Sequence, residues 1–385
     1  MDIVVCGHIC LDIIPSWFSG GIENLVPGHI LEMSGVDIST GGSVANTGLA
    51  LYRLGIEPIL LGKIGKDLFG KVILEILHGE NIEFEKYMII SHDDSSSYTI
   101  VLNPPDTDRI FLHYPGSNDT FQASDIPYDL IKSARLFHFG YPPLMKRFYQ
   151  NNGEELVQMF SKIRSLGMIT SLDMAMPDPE TPSGRIDWRK LLKKVLPYVD
   201  IFAPSLDELL YMWNKKDYPQ WISGQKVLTL DEVSELSREL IDCGVSLVMI
   251  KLGKAGLFLR TSKLNNNFYL SSMGIESQKW SLRQLYSTCF ETRVIGTTGA
   301  GDATIAGFLS QIIQGSTPEE AINIATATGA CCVEARDATS GIKSIKEIKE
   351  RMRRRWKKVP PLLSTKGWEW LPDHQLWEKC NFNGV

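Results

Sequence analysis

Cysteine is scarce in this chain of 385 residues: there are seven, and none falls in a Cys-x-x-Cys pair. That scatter supports neither a disulfide framework nor a zinc or thioredoxin-type site. Cys6, Cys10, Cys243, Cys331 and Cys332 sit in apolar stretches, where a free thiol acts as a small core residue. No apolar run approaches the roughly 20 residues of a membrane-spanning helix, so no membrane association is expected. The chain opens on Ile3-Val4-Val5-Cys6 without the charged and hydrophobic regions of a secretory leader. Strong charge is lacking too. A formal net charge of −5 gives no electrostatic reason to expect a nucleic-acid partner. Together these absences read as a reduced cytoplasmic protein.

Strand-like runs alternate with amphipathic segments for most of the length, the pattern of a largely parallel sheet covered by helices. Strands are expected at Ile3–Cys6, Ile59–Ile64, Leu136–Phe139, Ile169–Asp173, Ile201–Ala203, Leu247–Lys251 and Arg293–Ile295. Helical spacing marks Val44–Leu54, Phe69–Leu77, Leu156–Leu166, Val233–Ile241, Ala303–Ile313 and Pro318–Val333. Tyr87–Ile90, Tyr98–Leu102 and Arg109–His113 break the alternation as short strands separated by turns, which suggests a small inserted β-element: a lid, or an inert surface hairpin. Met174–Ile186, Asn214–Gln225, Ser271–Phe290 and the tail from Trp356 look like additions. Trp356, Trp368, Trp370 and Trp377 make that tail too aromatic for a disordered linker, so it is expected to dock on the body or on a partner subunit. The basic stretch Lys343–Lys358 carries Ile345, Ile348 and Met352 at helical spacing and reads as a surface helix.

The most informative run is Val294-Ile-Gly-Thr-Thr-Gly-Ala-Gly-Asp-Ala-Thr-Ile-Ala-Gly307. A β-branched strand leads into a small-residue turn, and a helix begins near Gly301. Gly299, Ala300 and Gly301 leave backbone N–H groups uncovered at the positive end of the helix dipole, a setting that favours an anion. Asp302 follows in the first turn. An anion cradle beside a carboxylate suits phosphoryl transfer to a hydroxyl, although a capping Asp beside a tight turn reads the same locally. A second glycine pair, Gly41-Gly42, allows close backbone approach to a ligand, and Asn46 behind it can bond a sugar hydroxyl in either sense; a plain glycine turn before a core helix is the alternative. Gly65 to Val72 nearly spells a P-loop, but Val72 stands where Ser or Thr must bind magnesium, and the match is rejected.

Taken in order, these segments resemble the signature regions of the ribokinase-like (PfkB) sugar kinases. Thr297-Thr-Gly-Ala-Gly-Asp302 matches the second signature. Gly62-Lys-Ile-Gly-Lys-Asp-Leu-Phe-Gly70 is similar to the family's Gly-x-x-Gly-x-Asp-x-x-Gly, and Lys251-Leu-Gly-Lys-Ala-Gly256 to its nucleotide-binding turn. The resemblance covers roughly Asp2 to Lys346. It implies a three-layer α/β/α fold with a mainly parallel sheet and a small β lid. The kinase domain would span residues 1–355, with lid strands within about 10–40 and 87–115, and a Trp-rich extension would occupy 356–385. It implies transfer of the γ-phosphoryl group of ATP, with Mg²⁺, to a sugar-like acceptor. Asp302 would be the base, and the Gly299, Ala300 and Gly301 amides the anion hole. Asp12, Gly41, Gly42 and Asn46 would bind the acceptor. Ser205, Lys251, Gly253, Gly256 and Thr298 would line the nucleotide site, and Glu208 would organise magnesium-bound water. Dimerisation through lid strands is a further implication.

Two departures stand out. Gly296 replaces the Asp that helps hold potassium in many members, which puts activation by K⁺ in doubt. Ser205 replaces the usual Asn ahead of Glu208. A nucleoside kinase of the same family, with Phe111, Tyr114 or Tyr141 stacking on a base, is an alternative; a non-catalytic sugar or nucleotide sensor is another.

Overall fold

The computed structural model describes residues 2–18, 21–104, 110–264 and 274–379. Parts of the expected Arg109–His113 strand, the Pro104–Asp108 turn, the Ser271–Phe290 addition and the tail therefore lie outside the described residues. The strands are β1 (Ile3–Gly7), β2 (Cys10–Trp17), β3 (Met33–Gly41), β4 (Pro58–Leu61), β5 (Lys63–Gly65), β6 (Ile89–Ser91), β7 (Tyr98–Leu102) and β8 (Ile110–Tyr114) in the first third. Then follow β9 (Leu136–Gly140), β10 (Ile169–Leu172), β11 (Ile201–Phe202), β12 (Leu247–Lys251), β13 (Leu257–Thr261), β14 (Gln284–Ser287), β15 (Trp368–Leu371) and β16 (Leu376–Lys379). Ten of them form one sheet in the order β15-β16-β14-β13-β12-β11-β10-β9-β1-β4. From β4 to β12 it is parallel; the remaining pairs are antiparallel. Its central strands read as continuous apolar runs because helices cover both faces, and β1, β9 and β10 are buried throughout.

A second sheet, β3-β2-β7-β8, stands apart as a four-stranded lid. Three expectations need correction here. Tyr87–Ile90 is not a lid strand: β6 pairs in parallel with β5, its entry fixed by the Ile89 N–H donating to the Gly62 carbonyl at 2.8 Å. The expected strand Ile59–Ile64 is consequently two, because the chain leaves the main sheet at Gly62 for this pairing. Arg293–Ile295 is not a strand. Val294 and Ile295 are 60% and 51% exposed, and the Ile295 N–H donates to the Val333 carbonyl at the end of the Pro318–Cys332 helix, so no sheet partner is left for it.

The segments taken as additions differ in kind. Ser271–Phe290 contains β14, an integral strand of the main sheet. The tail docks on the body: β15 and β16 form a hairpin that extends the sheet from β14, burying Trp368 and Leu376. Ahead of it, residues 356–359 run beside 287–291. Glu291 N–H donates to the Lys357 carbonyl at 2.8 Å, Val359 N–H to the Cys289 carbonyl at 2.9 Å, and Trp356 Nε1 to the Glu291 carbonyl at 2.7 Å. The basic stretch is a helix over Ile345–Arg353, begun by a Ser344–Glu347 capping box. Among the described residues, no helix is long and apolar enough to cross a membrane.

Candidate active site

The carboxyl ends of β1, β9, β10 and β12 open onto one cleft of about 1770 Å³, roofed by lid strands. The residues given a catalytic, acceptor-binding, nucleotide or magnesium role from the sequence all line it except Gly41 and Gly256, which shape it from behind. In open α/β sheets this crevice is where ligands bind, since neighbouring loops diverge there.

At its floor, Thr297–Gly301 turns into the Ala300–Ile313 helix through Gly299, whose φ of 72° is left-handed. A Cβ at Gly299 would stand 2.4 Å from the Ala338 Cβ, so glycine is required twice over. The first amides of a helix have no partner within it, and here they face the cleft beside a cation. Lys251 Nζ lies 3.6 Å from where a Gly301 Cβ would be, and its ammonium pairs with Asp173 Oδ1 at 2.6 Å. Desolvation pushes the Asp173 carboxyl up, and the Asp173 and Glu208 charges keep the Lys251 ammonium protonated despite its burial. Asp173 Oδ2 is buried without a partner.

Asp302 is 3% exposed and held by three donors. Asn46 Nδ2 and the Tyr141 hydroxyl reach its Oδ2 at 3.1 and 2.7 Å, and the Thr47 hydroxyl reaches Oδ1 at 3.1 Å. Asn46 and Thr47 are the fourth and fifth residues of the Ser43–Arg53 helix, which the left-handed Gly42 (φ 85°) launches toward Asp302. Asn46 thus orients the carboxylate with its amide nitrogen, while its Oδ1 is buried and unpartnered.

Asp12 hangs from the lid's first strand. A Cβ at Gly41 would collide with its carboxylate at 2.2 Å. Burial pushes the Asp12 carboxyl up to about 6, against hydrogen bonds from Cys10 Sγ and Thr99 that favour the charged form. Behind it two imidazoles meet, His8 Nε2 and His113 Nε2 at 3.4 Å, with His113 Nδ1 3.0 Å from the Thr99 hydroxyl. Desolvation lowers both, and the His113 charge lowers His8 further. A Cβ at Gly42 would meet His8 Nδ1 at 2.5 Å.

On the opposite side, Ser205 and Glu208 form a capping box that starts the Leu206–Trp213 helix. Ser205 Oγ accepts from the Glu208 N–H at 3.2 Å, and Glu208 Oε2 from the Ser205 N–H at 2.6 Å. Gly253 and Gly256 bend the β12–β13 connection with φ of 55° and 108°, and a Cβ at Gly256 would stand 2.1 Å from the Ser287 carbonyl oxygen. The tail braces this corner. Lys358 Nζ donates to Ser287 Oγ and Asn323 Oδ1 at 2.6 and 2.5 Å, and its burial lowers the ammonium to about 7. Thr298 lines the cleft at the start of the anion turn, and its carbonyl accepts from Cys332 Sγ.

Sequence reasoning missed Thr47, Asp173, His8 and the hydroxyl contact of Tyr141. The signal for two of them was available: Asp173 and Tyr141 each follow directly on a parallel strand, where side chains enter the crevice. At Gly296 a Cβ would meet the Ala335 and Arg336 carbonyl oxygens at 2.8 and 3.0 Å, leaving no room for a carboxylate. Among the described residues no cluster of three His, Cys, Asp or Glu side chains forms a metal cage. A magnesium ion carried in on phosphate oxygens needs none, and Glu208 and the orphaned Asp173 Oδ2 are oxygen donors of the fitting kind.

The family model for "pfkB family carbohydrate kinase" matches residues 2–345. An "uncharacterized sugar kinase" of Archaeoglobus fulgidus is 25% identical over 294 residues, covering 76% of this chain and 98% of that protein. Arabidopsis thaliana ribokinase complexed with ribose and ATP superposes with a TM-score of 0.69 at 20% identity, over 91% of this chain and 97% of that one. A Burkholderia thailandensis nucleoside kinase in complex with inosine gives 0.65 at 18%, over 93% and 100%.

Proposed function

The chain belongs to the pfkB family of carbohydrate kinases, and from that premise we propose that it moves the γ-phosphoryl group of Mg·ATP onto a sugar-like hydroxyl with Asp302 as base. The observation that carries this reading is a buried carboxylate fixed by three donors at the foot of a helix whose amides share the cleft with Lys251. Asp12, Gly42 and the free Oδ1 of Asn46 hold the acceptor, with Gly41 giving Asp12 its space. The acceptor oxygen bonds to the γ-phosphorus as its proton passes to Asp302. The bond to the bridging oxygen breaks, and ADP leaves with the electron pair. The Gly299, Ala300 and Gly301 amides and Lys251 stabilise the charge on the transferring group. Ser205, Thr298 and the Gly253–Gly256 turn border the nucleotide. Magnesium, when bound with the nucleotide, supplies neutralising charge to the phosphates; Glu208 and Asp173 would hold its water shell.

A nucleoside acceptor is the second reading, favoured by Phe111, which stands half-exposed on the lid strand lining the cleft and can stack on a base. ADP release against a panel of pentoses, hexoses, sugar acids, cyclitols and nucleosides separates the two. Asp302→Asn is expected to lower kcat by about 10²–10⁴ on the acceptor so found. Near-normal turnover in a folded Asp302→Asn protein would remove Asp302 from the role of base.

A further inference from the structure

Tyr141 sits where β9 delivers the chain to the cleft, with φ 67° and ψ 41°. Left-handed backbone is uncommon for a bulky residue, and Pro142 behind it restricts the conformation further. Such an outlier persists where surrounding contacts hold it, and functional sites are where it concentrates. Here the hydroxyl reaches Asp302 Oδ2 at 2.7 Å, while the ring lies 6.1 Å from that of His8. Oδ2 also accepts from Asn46, and a carboxylate oxygen offers about two lone pairs, so it is filled. Asn46 and Thr47 approach from a buried helix; Tyr141 approaches from a loop that lines the cleft.

We propose that Tyr141 is a positioning residue that keeps Asp302 Oδ2 occupied until an acceptor hydroxyl replaces it, and so protects bound nucleotide from water. The inference rests on Asp302 being the base. Without the phenol, a water at Oδ2 could give its proton to the carboxylate while its oxygen bonds to the γ-phosphorus. The bond to the bridging oxygen would break, releasing ADP and inorganic phosphate, and Asp302 would return the proton to solvent. An acceptor gripped by Asp12 and Asn46 has the added contacts to displace a neutral phenol. A lone water does not.

The test is Tyr141→Phe, which keeps the ring, assayed for ADP release from Mg·ATP alone and then with the acceptor identified by the panel. Acceptor-free release is expected to rise roughly tenfold, with acceptor-dependent kcat changing less than about threefold. Thr47→Val removes a donor from the buried side of the same carboxylate without opening Oδ2, so acceptor-free and acceptor-dependent release are expected to change there by a common factor. Unchanged or lower acceptor-free release in folded Tyr141→Phe overturns the proposal. So does a rise in Thr47→Val confined to acceptor-free release, because emptying Oδ2 would then not be what admits water. Asp302→Asn separates the two levels: if it abolishes transfer while Tyr141→Phe stays flat, only the placeholder falls, and if it turns over normally the base assignment falls with it.

Discussion

Replacing Asp12 by Asn should make the protein more stable at neutral pH and a poorer enzyme. The carboxyl is pushed from 3.8 up to about 6 because burial disfavours its charge by more than the Cys10 and Thr99 hydrogen bonds favour it. Between those values the folded state holds the proton more firmly than the unfolded chain. Stability therefore falls as pH rises through the window from about 4 to 6, and above it the cost is fully present. A difference of about two pH units corresponds to roughly 3 kcal/mol. Solvent reaches one side of Asp12, which is only partly buried by area, so a net gain of about 1–2 kcal/mol is expected for the neutral amide. Thermal unfolding at pH 7.5 should show the variant melting a few degrees higher, and at pH 4.5, near the low end of the window, the gap should shrink to about a third. The same substitution removes a charged acceptor for substrate hydroxyls, raising the acceptor KM by about 10–100-fold. Equal midpoints at pH 7.5, or a gap at pH 4.5 as wide as at pH 7.5, would refute the electrostatic reasoning.

Lys251→Met removes the cation beside the Gly301 amide and should lower kcat by about 10²–10³, read by steady-state ADP release at saturating nucleotide. Gly299→Ala forces a side chain into a left-handed turn against Ala338, and urea unfolding should show a loss of about 2 kcal/mol or more together with lost turnover. Because carbonyl oxygens crowd Gly296, exchange of K⁺ for Na⁺ at constant ionic strength should change kcat/KM by less than about twofold; a larger potassium response would show that the backbone alone builds an effective cation site.

The alternation of apolar runs and amphipathic segments was enough to expect the layered sheet, because strands covered on both faces need no information beyond hydrophobicity. Where pairing depends on distant partners, local sequence misled. Val294 and Ile295 have strong β propensity, yet their neighbours are a helix terminus and solvent. Tyr87–Ile90 looked equivalent to the lid strands, but its pairing follows from where Gly62 leaves the main sheet. The glycine turns around the site were legible because each has a steric reason that only glycine meets. Roles within the cleft were less so. Lys251, placed by its motif beside the nucleotide, puts its ammonium against Gly301 and Asp173, and Asn46, expected on the acceptor, commits its amide nitrogen to the Asp302 carboxylate. Those assignments depend on side-chain reach across elements some 80 to 250 positions apart in the chain, which spacing alone does not encode.

Apart from β4 at one edge and the reversed β15–β16 hairpin at the other, the main sheet runs in chain order from β1 to β14. During synthesis each emerging strand up to β14 can therefore add to a template already in place, and the tail hairpin then docks as a unit, with β16 against β14 and β15 outermost. The growing margin stays a naked row of amide donors and carbonyl acceptors until the β15–β16 hairpin is made. Nascent chains stalled before Trp368 would expose β14 in that condition, the form of this protein most prone to pair with a neighbour and most in need of a chaperone.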